Sequence, residues 1–420
     1  MSRKDLLILG FIGVSLSWLS AARAGEHWPG WRGPTGVGAA DGKNLPLTWG
    51  GKDQENLLWK SPVGGVGNSS PIVWGDRIFI TATKKQSNQE SDAKIIPEHY
   101  VICYQLADGK ELWRTLVPPG QLPMGYAIYA VPTPVTDGKL VYCWFGSAVI
   151  AAVDFDGKIV WRHERPGPFK LNPGICTSPV LYEDTVILLV DQAGGGAYLQ
   201  GLDKKTGEVK WEKKRPKASY CNTTPILLTV DGKPQLIVTG ANLIEGLNPA
   251  NGDTIWTCAG SAFGSSPAYG AGLLYIDRGA SGPGIAVEVN GSGDVSKTHV
   301  KWTVDKVAGE YASPIICGDY VYRTQKPGIV RCWKLSTGEE MFTERLAGVS
   351  HLASPIATTD GRVWFLTSGK SYVVKAGPKL EVLATNDLGG GDSNAGASPA
   401  VASGRIILRD NSSVYCIGSK

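Results

Sequence analysis

From residue 57 onward, apolar residues come in short runs of three to seven, never with the spacing of a helix face. PIVW, DRIFITAT, KLVYCWF and RVWFLT are typical. Between them stand Gly, Asn and Asp in DG, TG or NG pairs, as in YQLADGKELW, LDKKTGEVKW and LNPANGDTIW. Such pairs supply the positive φ of a tight hairpin. Strand-length runs at this spacing predict an all-β chain. The pattern also repeats. A hydroxyl residue followed by Pro precedes one short run in every unit, with the prolines at 71, 134, 179, 225, 267, 314, 355 and 399. The steps between them are 63, 45, 46, 42, 47, 41 and 44 residues, the first lengthened by an insertion over 84–99.

Each unit holds four runs, here lettered A to D, with A following the Pro. Run D opens on an aromatic: Trp113, Trp161, Trp211, Trp256, Trp302 and Phe342, with Leu383 expected in that place in the seventh unit. Run C, aligned on its turn, carries a small residue at one position: Cys103, Ala152, Gly201, Gly246, Ala286, Cys332 and Cys416. Four antiparallel strands per ~40–45 residues make a β-propeller blade, so eight units predict an eight-bladed β-propeller. The last unit has only three runs. Residues 57–63, with Trp59, form a fourth strand that lacks its own unit. Pairing it with the C-terminal three strands closes the ring and removes two open sheet edges. The repeated tryptophans, Trp59, Trp113, Trp161, Trp211, Trp256 and Trp302, are expected to fill the wedges between blades.

The strand pattern does not reach the first 56 residues. Residues 1–24 join a basic start, the apolar LLILGFIGVSLSWL and Ala22-Arg23-Ala24, the layout of a secretory signal cut near Ala24. No Cys follows the apolar run, so no lipid anchor is indicated, and no later stretch is long enough to span a bilayer. Residues 25–56 hold Trp28, Trp31 and Trp49 among glycines. They are expected to lie over the propeller as a packed strap. The net charge of +4 falls to about +2 without the leader, which carries Arg3, Lys4 and Arg23 against Asp5. That leaves no field for nucleic acid. The expected product is an exported monomer, periplasmic or secreted.

The segments GLDKKTGEVKW and LNPANGDTIW resemble the tryptophan-docking repeat of the eight-bladed quinoprotein (PQQ-like) propellers. That superfamily includes PQQ-dependent alcohol dehydrogenases and BamB-like propellers of the outer-membrane assembly machinery. The resemblance covers residues 57–420. The leader HWPGWRGPTGVG also resembles exported PQQ-like propellers of planctomycete-type bacteria. Membership implies the fold and does not confer an activity. In the dehydrogenases PQQ lies between a Trp and a disulfide of adjacent cysteines, beside a calcium ion held by carboxylate and amide side chains. This sequence has no adjacent cysteine pair and no CxxCH haem site. No catalytic residue transfers, PQQ and calcium stay the minor alternative, and the reading leans away from an enzyme.

Other motifs are weak. The five histidines lack metal spacing, TSGKS at 367–371 lacks the upstream P-loop glycine, and DFDGK at 154–158 falls in a hairpin turn. The eight cysteines read mainly as small buried apolar residues, with a Cys176–Cys221 bridge as the minor reading.

The antiparallel order puts the D–A and B–C loops at one channel mouth. The 84–99 insertion and the long D–A connections LVPPGQLPMGYAIYA and ERPGPFKLNPGIC all fall there. Elaboration of one face points to binding, against the plainer reading of tolerated surface loops. Candidate contacts for a protein or small polar ligand are Asn68, Tyr129, Asn222, Glu310, Tyr311, His351 and Asn394, with Asp277, Arg278, Arg323 and Arg409 at the ends of B runs. Glu310 and His351, in consecutive units, would suit an acid–base pair. No metal site is expected.

Overall fold

The structure, a computed structural model, describes residues 25–85, 95–120, 129–165, 169, 174–279, 282–307, 311–349, 353–389 and 396–419. Among these there is no helix, and none is therefore long and apolar enough to cross a membrane. Eight sheets follow one another along the chain, each built on four antiparallel strands, with a fifth, parallel strand added at the edge of blades 4 and 7. Blade 1 comprises Ile72–Trp74, Arg77–Thr83, His99–Gln105 and Glu111–Val117 as strands A to D. The A strands of neighbouring blades touch one another around the axis, and the D strands lie outermost.

The ring closes by the leading strand. Leu57–Pro62 pairs antiparallel with Ser413–Gly418, with Trp59 opposite Cys416 and Ser61 opposite Val414. Blade 8 thus takes three strands from the C-terminal end and its D strand from the N-terminal side.

The register explains why strand C is small where strand D is aromatic. Trp113 stands opposite Cys103, Trp161 opposite Ala152, Trp211 opposite Gly201, Trp256 opposite Gly246, Trp302 opposite Ala286 and Phe342 opposite Cys332. A Cβ on Gly246 would lie 2.1 Å from Trp256 Nε1, and one on Gly201 2.3 Å from Trp211 Nε1. The indole lies flat over its partner, so a larger side chain there would displace it. The ring N–H then reaches the next blade. Trp59, Trp113, Trp161 and Trp302 donate to the carbonyls of Leu106, Phe155, Lys204 and Leu335, each in a C–D turn, at 2.7–3.0 Å. Trp256 instead donates to Gln235 Oε1 of its own blade.

Blade 7 departs from the pattern. Ala384, not Leu383, stands opposite strand C, facing Val373, while Leu383 is exposed in the bulge. The order of sizes is inverted, because the register here runs one position further round the turn, Val373 pairing with Ala384 where Cys103 pairs with Trp113. Trp49 of the N-terminal segment stacks on Trp364 of this blade at 6.0 Å and shares its core with Val373 and Ala384.

The hydroxyl-Pro repeat also acquires a physical reason. The residue before each Pro accepts a hydrogen bond from the equivalent amide of the blade before it. Ser70 N donates to Thr133 Oγ1, Thr133 N to Ser178 Oγ, Ser178 N to Thr224 Oγ1, Thr224 N to Ser266 Oγ, Ser266 N to Ser313 Oγ, Ser313 N to Ser354 Oγ and Ser398 N to Ser70 Oγ, at 2.8–3.0 Å. Seven of the eight blade junctions are stitched this way. The hydroxyl one place earlier works within its blade: Ser69, Thr177, Thr223 and Ser265 donate to carbonyls of strand B at Thr81, Leu189, Thr239 and Asp277. All lie in the interior, where an unpaired amide costs about 1–3 kcal/mol.

Candidate functional site

The two ends of the channel differ. Residues 25–40 run across the end where the A strands finish. Trp28 bridges to Val73 of blade 1, and Pro29 O accepts from Thr136 N of blade 2. Gly36 packs on Ile226 of blade 4. Ala39–Ala40 pairs parallel with Ile356–Thr358 of blade 7, and Gly25 O accepts from Ser403 N of blade 8. Arg32 reaches inward to blades 5 and 6, with Nη2 donating to Pro314 O at 2.7 Å and Nη1 to Pro267 O at 3.5 Å. It is 2% exposed, with no carboxylate among these partners, and burial pulls its pKa down to about 9. Gly38 makes room for it: φ is +79°, and a Cβ there would meet Arg32 Nη2, Ile315 and Pro355 O at 3.0 Å each. Trp28 and Trp49 are buried, while Trp31 is half-buried beside Arg32.

The opposite end carries the D–A and B–C loops. Asn68 N donates to Ala130 O and Asn222 N to Phe263 O, so each polar side chain stands on a loop pinned to the next blade. Both side chains are half-buried. Tyr129 is buried beside His99, with ring centroids 5.6 Å apart. Tyr311 is 62% exposed, and Arg278 is exposed. Glu310, His351, Asn394 and the middle of the 84–99 insertion, over 86–94, lie outside the described residues, so the suggested acid–base pair does too.

Asp277, Arg323 and Arg409 are placed differently from the expectation of groups lining an open mouth. Asp277 and Arg323 are fully buried at the seam of blades 5 and 6, paired at 2.7 Å (Nε to Oδ2) and 3.3 Å (Nη2 to Oδ1). Arg409 is buried between blades 8 and 1, its Nη1 donating to Ser69 O and Thr81 O at 2.8 Å each. At a blade seam, a charge at the end of strand B turns sideways to the neighbour and meets carbonyls or an opposite charge there. As the structure stands, these three bind the ring.

Besides Arg32, sequence reasoning passed over two groups. His99 is fully buried, stacked on Phe145 and hydrogen-bonded through Nε2 to Ser147 Oγ at 2.7 Å. Burial draws its pKa down to about 4. Arg215 is 4% exposed and joins blades 3 and 4, gripping Asp191 at 2.8 and 3.1 Å and also Glu245. A lone histidine or an arginine inside a basic run gives no signal of either in the sequence.

The described residues do not fit the quinone site of the dehydrogenases. All eight cysteines are separate free thiols, Cys176 and Cys221 included. No three His, Cys, Asp or Glu side chains among the described residues converge as metal ligands. DFDGK is a plain turn in which Asp154 Oδ1 accepts from Asp156 N and Lys158 N.

Fold and register define an eight-bladed propeller whose blades are locked by indoles and hydroxyls. The family model described as outer membrane protein assembly factor BamB matches residues 97–344, more than half of the chain, and the chain belongs to that PQQ-like propeller family. Among solved structures it is similar to BamB from Moraxella catarrhalis, with TM-score 0.60 and 14% identity over 86% of this chain and 98% of that one. It is also similar to the computationally designed Ika8 protein, with TM-score 0.57 and 11% identity over 86% and 99%. A quinohemoprotein alcohol dehydrogenase from Comamonas testosteroni follows at TM-score 0.47 and 12% identity over 94% and 81%. Identities this low establish the fold alone. No curated protein matches the chain in sequence.

Proposed function

We propose that the protein is an exported, non-enzymatic propeller scaffold that binds a protein or small polar ligand on its D–A/B–C face. The observation carrying this reading is the asymmetry of the channel. One end is covered by the chain's own residues 25–40, with Arg32 reaching in to the A strands. The other end has Asn68, Asn222, Arg278 and Tyr311 on it, and strand order assigns the long D–A and B–C connections to that side. A scaffold that covers one face with itself and elaborates the other has one face for partners. The leader over residues 1–24 supports export, and mass spectrometry of the mature chain should then find Gly25 first.

The family match favours one protein-binding version, an outer-membrane protein assembly factor. A PQQ-dependent alcohol or sugar oxidoreductase is disfavoured by the poor fit of the residues to that cofactor. The test uses photo-crosslinking side chains placed singly at Asn222 and Tyr311, and at Lys43 on the covered face. In cells, discrete adducts at Asn222 or Tyr311 and none at Lys43 support the reading. Outer-membrane proteins in those adducts favour the assembly factor. Equal labelling of the two faces, or dye reduction with PQQ, Ca²⁺ and an alcohol, would overturn the scaffold reading.

A further inference from the structure

Between blades 3 and 4, on the same face, lies a cavity of about 210 Å³ lined by Lys213, Lys214, Arg215, Pro216, Lys217, Ala218, Gly240, Ala241, Leu243 and Glu245. Its charges divide into two sets. Arg215 is gripped by Asp191 and Glu245, and Lys213 Nζ lies 3.9 Å from Glu245. Those two cations and two anions balance. Lys214 and Lys217 remain, both exposed on the rim and neither ion-paired with a described residue. The rest of the lining is mainly apolar: Pro216, Ala218, Ala241 and Leu243.

We infer that this notch binds a carboxylate carried on an apolar stem. The donors in the lining favour that chemistry. Arg215 has the only forked donor in the lining, and the fork is already filled by its two carboxylates. Bidentate recognition of a phosphate therefore has no donor here. What remains is two lysine point charges beside apolar lining, which attract a carboxylate without fixing its orientation and cover the methylenes behind it. At roughly 20–30 Å³ per heavy atom, scaled from the volume of a water molecule, the cavity takes a group of about seven to ten atoms. A whole glutamate residue or a small free acid is of that size. Gly240 keeps the cavity's wall close: a Cβ there would stand 2.9 Å from Arg215 Nη2. The inference rests on the proposed use of this face and names the chemistry recognised on it.

The experiment titrates the mature protein by calorimetry at low salt with three probes: glutarate, a blocked Ala-Glu-Glu-Leu peptide and inorganic phosphate. Glutarate binding identifies a free acid as the source of the carboxylate, and binding of the peptide alone identifies an acidic segment. Either should weaken at least about tenfold in Lys214→Glu/Lys217→Glu, and less in the double Gln variant. Affinity should also fall as salt is raised. Both lysines are exposed, so the variants should melt as the parent does, which calorimetric melting checks. The inference is overturned if neither acid binds, if phosphate binds more tightly than both, or if charge reversal leaves binding unchanged. The face-selective crosslinking at Asn222 and Tyr311 does not involve these lysines, so the two readings fail separately.

Discussion

Removal of the Arg323 guanidinium is a severe perturbation of one blade seam. Arg323 is fully buried and donates to Asp277 twice, to Ala312 O at 2.5 Å and to Thr324 O at 2.8 Å. Asp277 accepts in addition from Ser265 Oγ at 2.8 Å and Gly279 N at 2.9 Å. In Arg323→Met the carboxylate keeps those last two donors but loses its counter-charge in a dry seam. Breaking a buried pair from one side costs about 3–5 kcal/mol. At roughly 2 cal/mol/K per residue, the unfolding entropy of a chain this size is about 0.8 kcal/mol/K, so Tm should fall by about 4–6 °C. Asp277→Ala should cost a similar amount. The double variant should cost well under the sum, since neither stranded charge remains. Guanidinium unfolding of all four proteins measures this. Additive losses, or a loss below about 1 kcal/mol in either single variant, would refute the idea that this pair locks blades 5 and 6.

Other outcomes follow from the same geometry. Ser266→Ala strands the buried Thr224 amide and should cost about 1–3 kcal/mol in urea unfolding, whereas Ser266→Thr keeps the acceptor and should stay close to the parent. Gly246→Ala drives a Cβ into the fully buried Trp256 and should cost roughly 1–3 kcal/mol, seen also as a change in tryptophan fluorescence. His99 stays neutral in the fold down to about pH 4, while the unfolded chain takes up its proton near 6.5. Its contribution, about 3 kcal/mol, should therefore be present above pH 6.5 and be lost as pH falls to 4. His99→Gln should remove that part of the slope when unfolding midpoints are compared at pH 7, 5.5 and 4.

The repeat, its strand order and the closing strand were legible because hairpin turns and strand length are local properties. The small residues of strand C and the aromatics of strand D were also visible, though their direct opposition needed the register. The hydroxyl before each Pro was visible as a recurring letter. Its work was not, since its partner lies about 45 residues away in the next blade. Leu383 was misplaced because the count from the turn assumes one register, and in blade 7 it runs one position further round the turn. Asp277, Arg323 and Arg409 were placed at the mouth because a sequence gives the end of a strand but not the direction of its side chain. Arg32 sat unnoticed beside Trp31 in GWRG, where an arginine ordinarily faces water. Only its contact with Pro314, 282 positions away in the chain, shows it buried.

The seam between the first and last strands underlies everything said about the two faces. Ser61 and Val414 stand opposite one another across it. Cysteines placed at both positions and oxidised with a mild catalyst should join into an intramolecular disulfide that speeds migration on a non-reducing gel and raises the guanidinium midpoint. A control pair at Ser61 and Val401 should not join. Failure of the first pair to close in the folded protein, or equal closure of the control, would contradict a ring sealed by its own leading strand.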